Sequence, residues 1–190
     1  MSAMGTLRAA LVLTALTVIL LGGVYPLAVW GIGHAAFASR SEGSLVYRGN
    51  TVVGSSLIGQ RFTSDKYFHG RPSAAGKDGY DAAASGGSNL GPTSKALADR
   101  VSADRLSLLG TDGPNPPNDL LTTSASGLDP HISPEAARYQ IPRVLRARPD
   151  VDRAALEGLI ARHTEQRTLG LLGEQRVNVL ALNFELDSLH

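Results

Sequence analysis

The chain has 190 residues, room for one ordinary domain with an appendage. Lys and Arg total 18 against 17 acids, and the arginines are scattered, so the basic cluster that a phosphate-tracking surface requires is missing. Cysteine is absent, which excludes a disulfide framework, a CxxC redox pair and a thiolate zinc site.

From Ala9 to Ser39 there is no Lys, Arg, Asp or Glu. LVLTALTVILLGGVYPLAVW is apolar on every face, unlike an amphipathic surface helix. Ala9 to Trp30 makes about 33 Å of helix, against a hydrocarbon core of about 30 Å. Tyr25 and Trp30 lie near the far end, where aromatic rings favour the interface. Gly22, Gly23 and Pro26 suit a membrane helix, permitting a kink or close helix contact. Ala36-Phe37-Ala38 has the small-x-small form of a cleavage site, but the apolar region exceeds the roughly 7–15 residues of a secretory signal. An uncleaved anchor is therefore expected. Arg8 before the span is matched by Arg40 and Arg48 after it, so charge bias does not orient it. The simpler arrangement keeps the short tail in the cytoplasm and exports the rest. The expected division is a tail over 1–8, a transmembrane helix over 9–32, a linker over 33–43 and a folded unit over 44–190.

Leu45-Val46-Tyr47 and Thr51-Val52-Val53 flank Arg48-Gly49-Asn50, a hairpin pattern with Gly-Asn at the turn. Leu57 to Phe62 reads as a third short strand. Residues 63–91 are rich in Gly, Ser, Ala and Asp, yet Tyr67, Phe68 and Tyr80 are too apolar for a plain linker, so an ordered irregular surface is expected. A helix is predicted from Pro92 to about Leu109, with Leu97, Val101 and Leu108 on one face. Ser133-Pro134-Glu135 starts another, which Pro142 should kink or interrupt. Asp150 is placed as the cap of a third helix, with Val151, Ala155, Leu159 and Ile160 on one side. Near the end, Val177, Leu180, Ala181 and Phe184 favour a helix, while Val177-Asn178-Val179 would equally serve as a strand. The fold class is α+β: a single N-terminal transmembrane helix, then one mixed α+β soluble domain with strands early and helices late.

SASGLDPHISPEAARYQ gathers Ser124, Ser126, Ser133, Asp129 and His131. A hydrolase using Ser126, Asp129 and His131 would need the three to converge, and neither a GxSxG elbow nor an HExxH pair is present. Local turn chemistry accounts for the stretch more simply: Asp129 precedes a proline, Gly127 permits positive φ, and serines bond nearby backbone. SGGSNLGP has the form of an anion nest but lacks the GK[ST] of a Walker loop, since Lys95 is followed by alanine. His69 has no second histidine at metal-ligand spacing, so no metal is expected. No DKTGT sequence is present, so the chain is not the phosphorylated subunit of a P-type pump.

GGVYPL, GSSLIGQRF, YFHGRPSA, SGGSNLGP, DLLTTSASGLDPHISPEAA, QIPRV and VNVLALN, in this order, resemble the C subunit of the Kdp potassium-transporting ATPase, the KdpC family. TDGPNPPN is the least family-like part. The resemblance implies a complex with a channel-like potassium-translocating subunit and a P-type ATP-hydrolysing subunit. In that complex this chain would be a non-catalytic, single-span subunit of the cell membrane that makes no contact with nucleic acid. The family is described as raising the ATP affinity of the hydrolysing subunit; Gln140 in QIPRV would then touch nucleotide in a shared site, with ATP as the sole cofactor implied. With the folded unit outside, docking over the external potassium entrance is the alternative, with Asp65, Asp78, Asp81 and Asp129 drawing cations. The matching motifs mark partner contacts: Gly22, Gly23, Tyr25 and Pro26 in the span; Tyr67, Phe68, His69 and Arg71 in YFHGRPSA; Gly86, Gly87 and Asn89 in SGGSNLGP; Gly127, Asp129 and His131 in the serine-rich stretch.

Overall fold

The computed structural model describes residues 3–189; Met1, Ser2 and His190, which the expected tail and folded unit include, lie outside the described residues. The chain divides into two units between Leu45 and Val46. The first is helical from Ala3 to Ser41, long and apolar enough to cross a membrane, with no residue buried. It comprises α1 (Ala3–Ile19), a π turn (Leu20–Val24) and α2 (Tyr25–Ser41). Pro26 has no N–H to give Gly22, and the helix widens just before it: the Tyr25 N–H reaches back five residues to the Leu20 carbonyl. Residues 33–41, expected as linker, continue the helix, interrupted at Phe37, whose φ of −140° is not helical.

The second unit is α+β. Strands β1 (Leu45–Arg48) and β2 (Thr51–Ser55) form the expected hairpin, with Gly49 at φ +60° supplying the conformation its two-residue turn requires. Leu57–Phe62 is not a third strand, apart from one bridge between Ser55 and Ile58. Its backbone is turned elsewhere: the Gly59 N–H bonds Leu128 O at 2.8 Å, and a Cβ at Gly59 would stand 2.8 Å from Asp129 O.

α3 (Lys95–Thr111) begins three residues later than predicted, after Ser94 at the N-cap position, and Leu97, Val101 and Leu108 are half-buried along one side. β3 (His131–Ile132) follows a 3-10 turn at Asn118–Leu120. α4 (Pro134–Tyr139) is capped by Ser133, whose Oγ accepts from the Ala136 N–H at 3.0 Å. It stops where Pro142 forbids continuation, and α5 (Ile141–Ala147) resumes after Gln140. α6 (Arg153–His163) is capped by Asp152 rather than Asp150. Val151 and Leu156 join the core just outside and inside that cap, a hydrophobic staple that leaves Asp150 to pair with Arg148 at 3.3 Å.

β4 (Thr164–Glu165) and β5 (Arg176–Asn178) complete an antiparallel sheet of order β3-β5-β4. Most strands thus fall in the later half, contrary to the expected order of strands first. Ile132 and Val177 face each other in register and are buried, so this cross-strand pair fixes the sheet on the core. Asn178 ends β5 and caps α7 (Val179–Leu186), accepting from the Ala181 N–H at 3.0 Å. Both readings of this segment therefore hold, one after the other. α7 buries Val179, Leu180, Leu182, Asn183 and Leu186, so of the expected helix face Leu180 is buried while Ala181 and Phe184 are half-buried. With Phe68 and buried side chains of α4, α5 and α6, Val179, Leu182 and Leu186 form the core.

Candidate functional site

The irregular stretch 63–91 and the segment 120–133, which carries the serine-rich stretch from Ser124 to Ser133, meet. The Ser73 hydroxyl donates to Gly127 O at 2.6 Å, and the Gly86 N–H and Ser85 hydroxyl both donate to Ser126 O, at 2.8 and 3.0 Å. Arg71 pairs with Asp129 at 3.2 Å and donates to Thr122 O at 3.3 Å. Gly127 has φ +67°, and a Cβ there would lie 2.6 Å from Gly86 O, so two reasons require glycine. Gly87 approaches Ala125 O similarly, where a Cβ would stand at 3.1 Å, and Asn89 takes a left-handed φ of +52°. Tyr80 donates to Arg71 O at 2.6 Å; burial, then the nearby Asp129 charge, push its hydroxyl up to about 12.

Below this seam, two side-chain amides grip one dipeptide. Asn183 of α7 accepts from the Phe68 N–H and donates to the Phe68 carbonyl, both at 2.8 Å. Gln140, at the break between α4 and α5, treats His69 the same way, at 2.7 and 3.0 Å. Each amide does for irregular backbone what a neighbouring strand would do. Phe68 itself is fully buried.

Gln140 is 1% exposed. Its oxygen also accepts from Arg143 at 2.6 Å, and its nitrogen also donates to Ala136 O at 3.3 Å, so both lone pairs and both protons are engaged. A cleft of about 440 Å³ opens beside it, lined among others by Arg61, His69, Arg71, Tyr80 and Asp104. Gln140 has no unused polar capacity to offer a molecule bound there.

Arg143 and Asp112 were not singled out in the sequence. Arg143 is buried and ties three segments: it pairs with Asp112 at 2.8 Å, donates to Asp65 O and Tyr67 O at 2.9 Å each, and meets Gln140. The available signal was spacing, since Arg143 stands one helical turn after Gln140. Burial pushes the Asp112 carboxyl up despite Arg143. Burial, then the Arg143 charge, hold the His69 imidazole below its ordinary value of 6.5.

Asp129 accepts from the His131 N–H at 3.0 Å and lies 3.3 Å from the ring Nδ1. Burial pushes its carboxyl up, but the His131 hydrogen bonds and the Arg71 charge outweigh this and hold it low. Ser126 does not complete a triad: its Oγ accepts from the Leu128 N–H at 3.1 Å and faces Ser124 Oγ at 3.4 Å. The hydrolase reading is therefore not supported, because the serine is spent on its own turn.

The aspartates expected to draw cations are dispersed. Asp65 stands 4.0 Å from Arg143, Asp129 is paired, and Asp81 caps the Ala83 N–H. Among the described residues no group of three or more potential metal ligands gathers. Tyr67 bonds Asp187 at 3.2 Å and packs edge-on against Phe62. In the first unit Gly22 and Gly23 form the π turn, where added Cβ atoms would meet nothing within 4 Å, and Tyr25 is 61% exposed.

A helix fit to cross a membrane and an α+β unit whose polar side chains hold its own loops describe a tethered subunit better than a hydrolase. Residues 7–188 match the family described as KdpC, the K+-transporting ATPase c chain. Proteins named "Potassium-transporting ATPase KdpC subunit" are similar throughout. The one from Gemmatimonas aurantiaca is 53% identical, covering 96% of this chain and 92% of its own; the one from Bradyrhizobium diazoefficiens is 54% identical, covering 93% and 92%. A third, from Koribacter versatilis, is 49% identical over 92% of this chain and 90% of its own. The chain belongs to the KdpC family.

Proposed function

We propose that the chain is a non-catalytic subunit of a potassium-transporting ATPase, anchored in the cell membrane by its N-terminal helix, with the tail cytoplasmic and the folded unit exported. It assembles with a channel-like potassium-translocating subunit and a P-type ATP-hydrolysing subunit and stabilises their complex. The joined loops 63–91 and 120–133 form its contact surface over the external potassium entrance. The π turn at Gly22-Gly23, ahead of Pro26, offers bare backbone to neighbouring helices. The observation that carries the docking reading is the saturated amide of Gln140, which supports a shape-holding role over a nucleotide contact.

A compartment-sensitive reporter fused after the last residue tests the arrangement. An external signal is expected. A cytoplasmic one would restore the second reading, in which the unit raises the ATP affinity of the hydrolysing subunit. That reading further requires the purified chain to protect a bound ATP analogue at millimolar nucleotide.

A further inference from the structure

The segment between β4 and β5 exposes three leucines within four residues: Leu169 is 88% exposed, Leu171 82% and Leu172 63%. This is not a floppy connection. Thr168 and Leu172 exchange backbone hydrogen bonds at 2.9 and 3.0 Å, and Gly170 and Leu171 donate back to Arg167 O and Thr168 O. The stem is braced by the Arg167–Glu174 and Arg176–Glu165 ion pairs, both at 2.8 Å, and by Gln175 donating to Gln166 at 2.6 Å. Leu169 has φ +55°, a left-handed conformation that favours Gly or Asn over leucine. Turns that merely connect strands carry Gly, Asn, Asp and Ser. Here Gly170 and Gly173 take two of the turn's positive-φ positions, and Leu169 takes a third at the tip.

The chemistry of the stem selects the occupant. Each of its arginines is neutralised by a glutamate of the same stem, leaving no basic excess to hold anionic headgroups. Residues 166–175 contain no Trp, Tyr or Phe to sit at a lipid interface. A stiff, convex, aliphatic knob with a neutral collar fits an apolar recess in a folded protein. Three leucines bury far less than the ~1,200 Å² of a stand-alone interface, so the knob serves as one anchor within a larger contact.

We propose that the leucine tip, residues 168–172, seats in an apolar recess on another protein subunit of the potassium-transporting ATPase. This rests on the subunit reading above and names one of its contacts.

The full chain is co-expressed with the other subunits, and a photo-crosslinking benzoylphenylalanine replaces Leu171. Irradiated membranes should yield an adduct with another ATPase subunit, identified by mass spectrometry; adducts confined to lipid or to a second copy of this chain overturn the proposal. In parallel, the combined variant Leu169→Ser, Leu171→Ser, Leu172→Ser should lower retention in the detergent-purified complex by about tenfold or more, as loss of a buried anchor does. Its melting temperature should stay unchanged. Should that variant fail to fold, Leu169→Gly decides: glycine suits φ +55°, so stability should hold or rise while retention falls several-fold. Unchanged retention with either folded variant overturns the proposal and leaves the subunit reading standing. If the wild-type chain itself does not co-purify, both fall.

Discussion

Two irregular stretches of the folded unit use their backbones in opposite ways. Residues 63–91 give their hydrogen bonds away: Gln140 and Asn183 take the peptide groups of His69 and Phe68, Arg143 takes two further carbonyls, and Phe68 is sunk in the core. Residues 166–175 are braced by bonds among themselves and turn leucines outward. A loop bound by distant side chains behaves as part of the core although it has no regular structure. A loop that satisfies itself and exposes apolar side chains is shaped for something outside it. The difference predicts where stability resides.

The sharpest way to break the comparison is Arg143→Met. It leaves Asp112 buried without its counter-charge and takes the side-chain donor from the Asp65 and Tyr67 carbonyls, and should cost about 3–5 kcal/mol. Thermal melts of the full chain in detergent, followed by circular dichroism, would register it. Leu171→Ser on the self-contained loop should shift the same melt by less than ~0.5 kcal/mol. Equal losses from the two would erase the distinction.

Next in size are Gln140→Leu and Asn183→Leu. Each strands one backbone N–H and one carbonyl below the surface, a cost of roughly 2–3 kcal/mol. Gln140→Leu should cost the more of the two, because its amide also accepts from Arg143 and donates to Ala136 O. If Gln140→Leu instead left the melt unchanged but abolished protection of an ATP analogue, the clamp would be wrong and the nucleotide reading right.

Local devices in this chain were legible in the sequence. The hairpin at Gly49, the Ser133 cap and the break at Pro142 each depend on two to four adjacent residues, and each appears as expected. The Asp150 placement failed because two aspartates two residues apart offer the same cap chemistry, and the packing of Val151 on the core decides between them. The face of α7 was legible only in part: Leu180 is buried as expected, but Leu182 and Leu186 were not anticipated, because Asn178 serves strand and helix at once. The two loops of the candidate site were identifiable by composition, but not what holds them. Asn183 and Phe68 are 115 residues apart, and no spacing rule says that two helices will bring amides to one dipeptide. Arg143 is buried against Asp112, 31 residues earlier, and no local pattern joins the two.

The smallest expected effect concerns acid, and its sign separates neighbours within the clamp. His69 is held below its ordinary 6.5 by burial and then by the Arg143 charge, so the folded chain favours the neutral ring. Its contribution to stability is complete above pH 6.5 and is lost as pH falls from there through the lowered folded value. Asp112 works in reverse. Burial raises its carboxyl above the ordinary 3.8, so its contribution is present below 3.8 and lost as pH climbs through the raised value. Asp129 and Asp187 are held low, so their contributions are lost at the acid end, as pH falls below 3.8. Melting temperature should therefore begin to fall just below pH 6.5 and fall again below 3.8. In His69→Gln the first decline should vanish, leaving a flat or slightly rising trace as Asp112 takes up its proton. An unchanged first decline in that variant would mean that the His69 ring is not the group titrating there, and that it is less buried beside Arg143 than described.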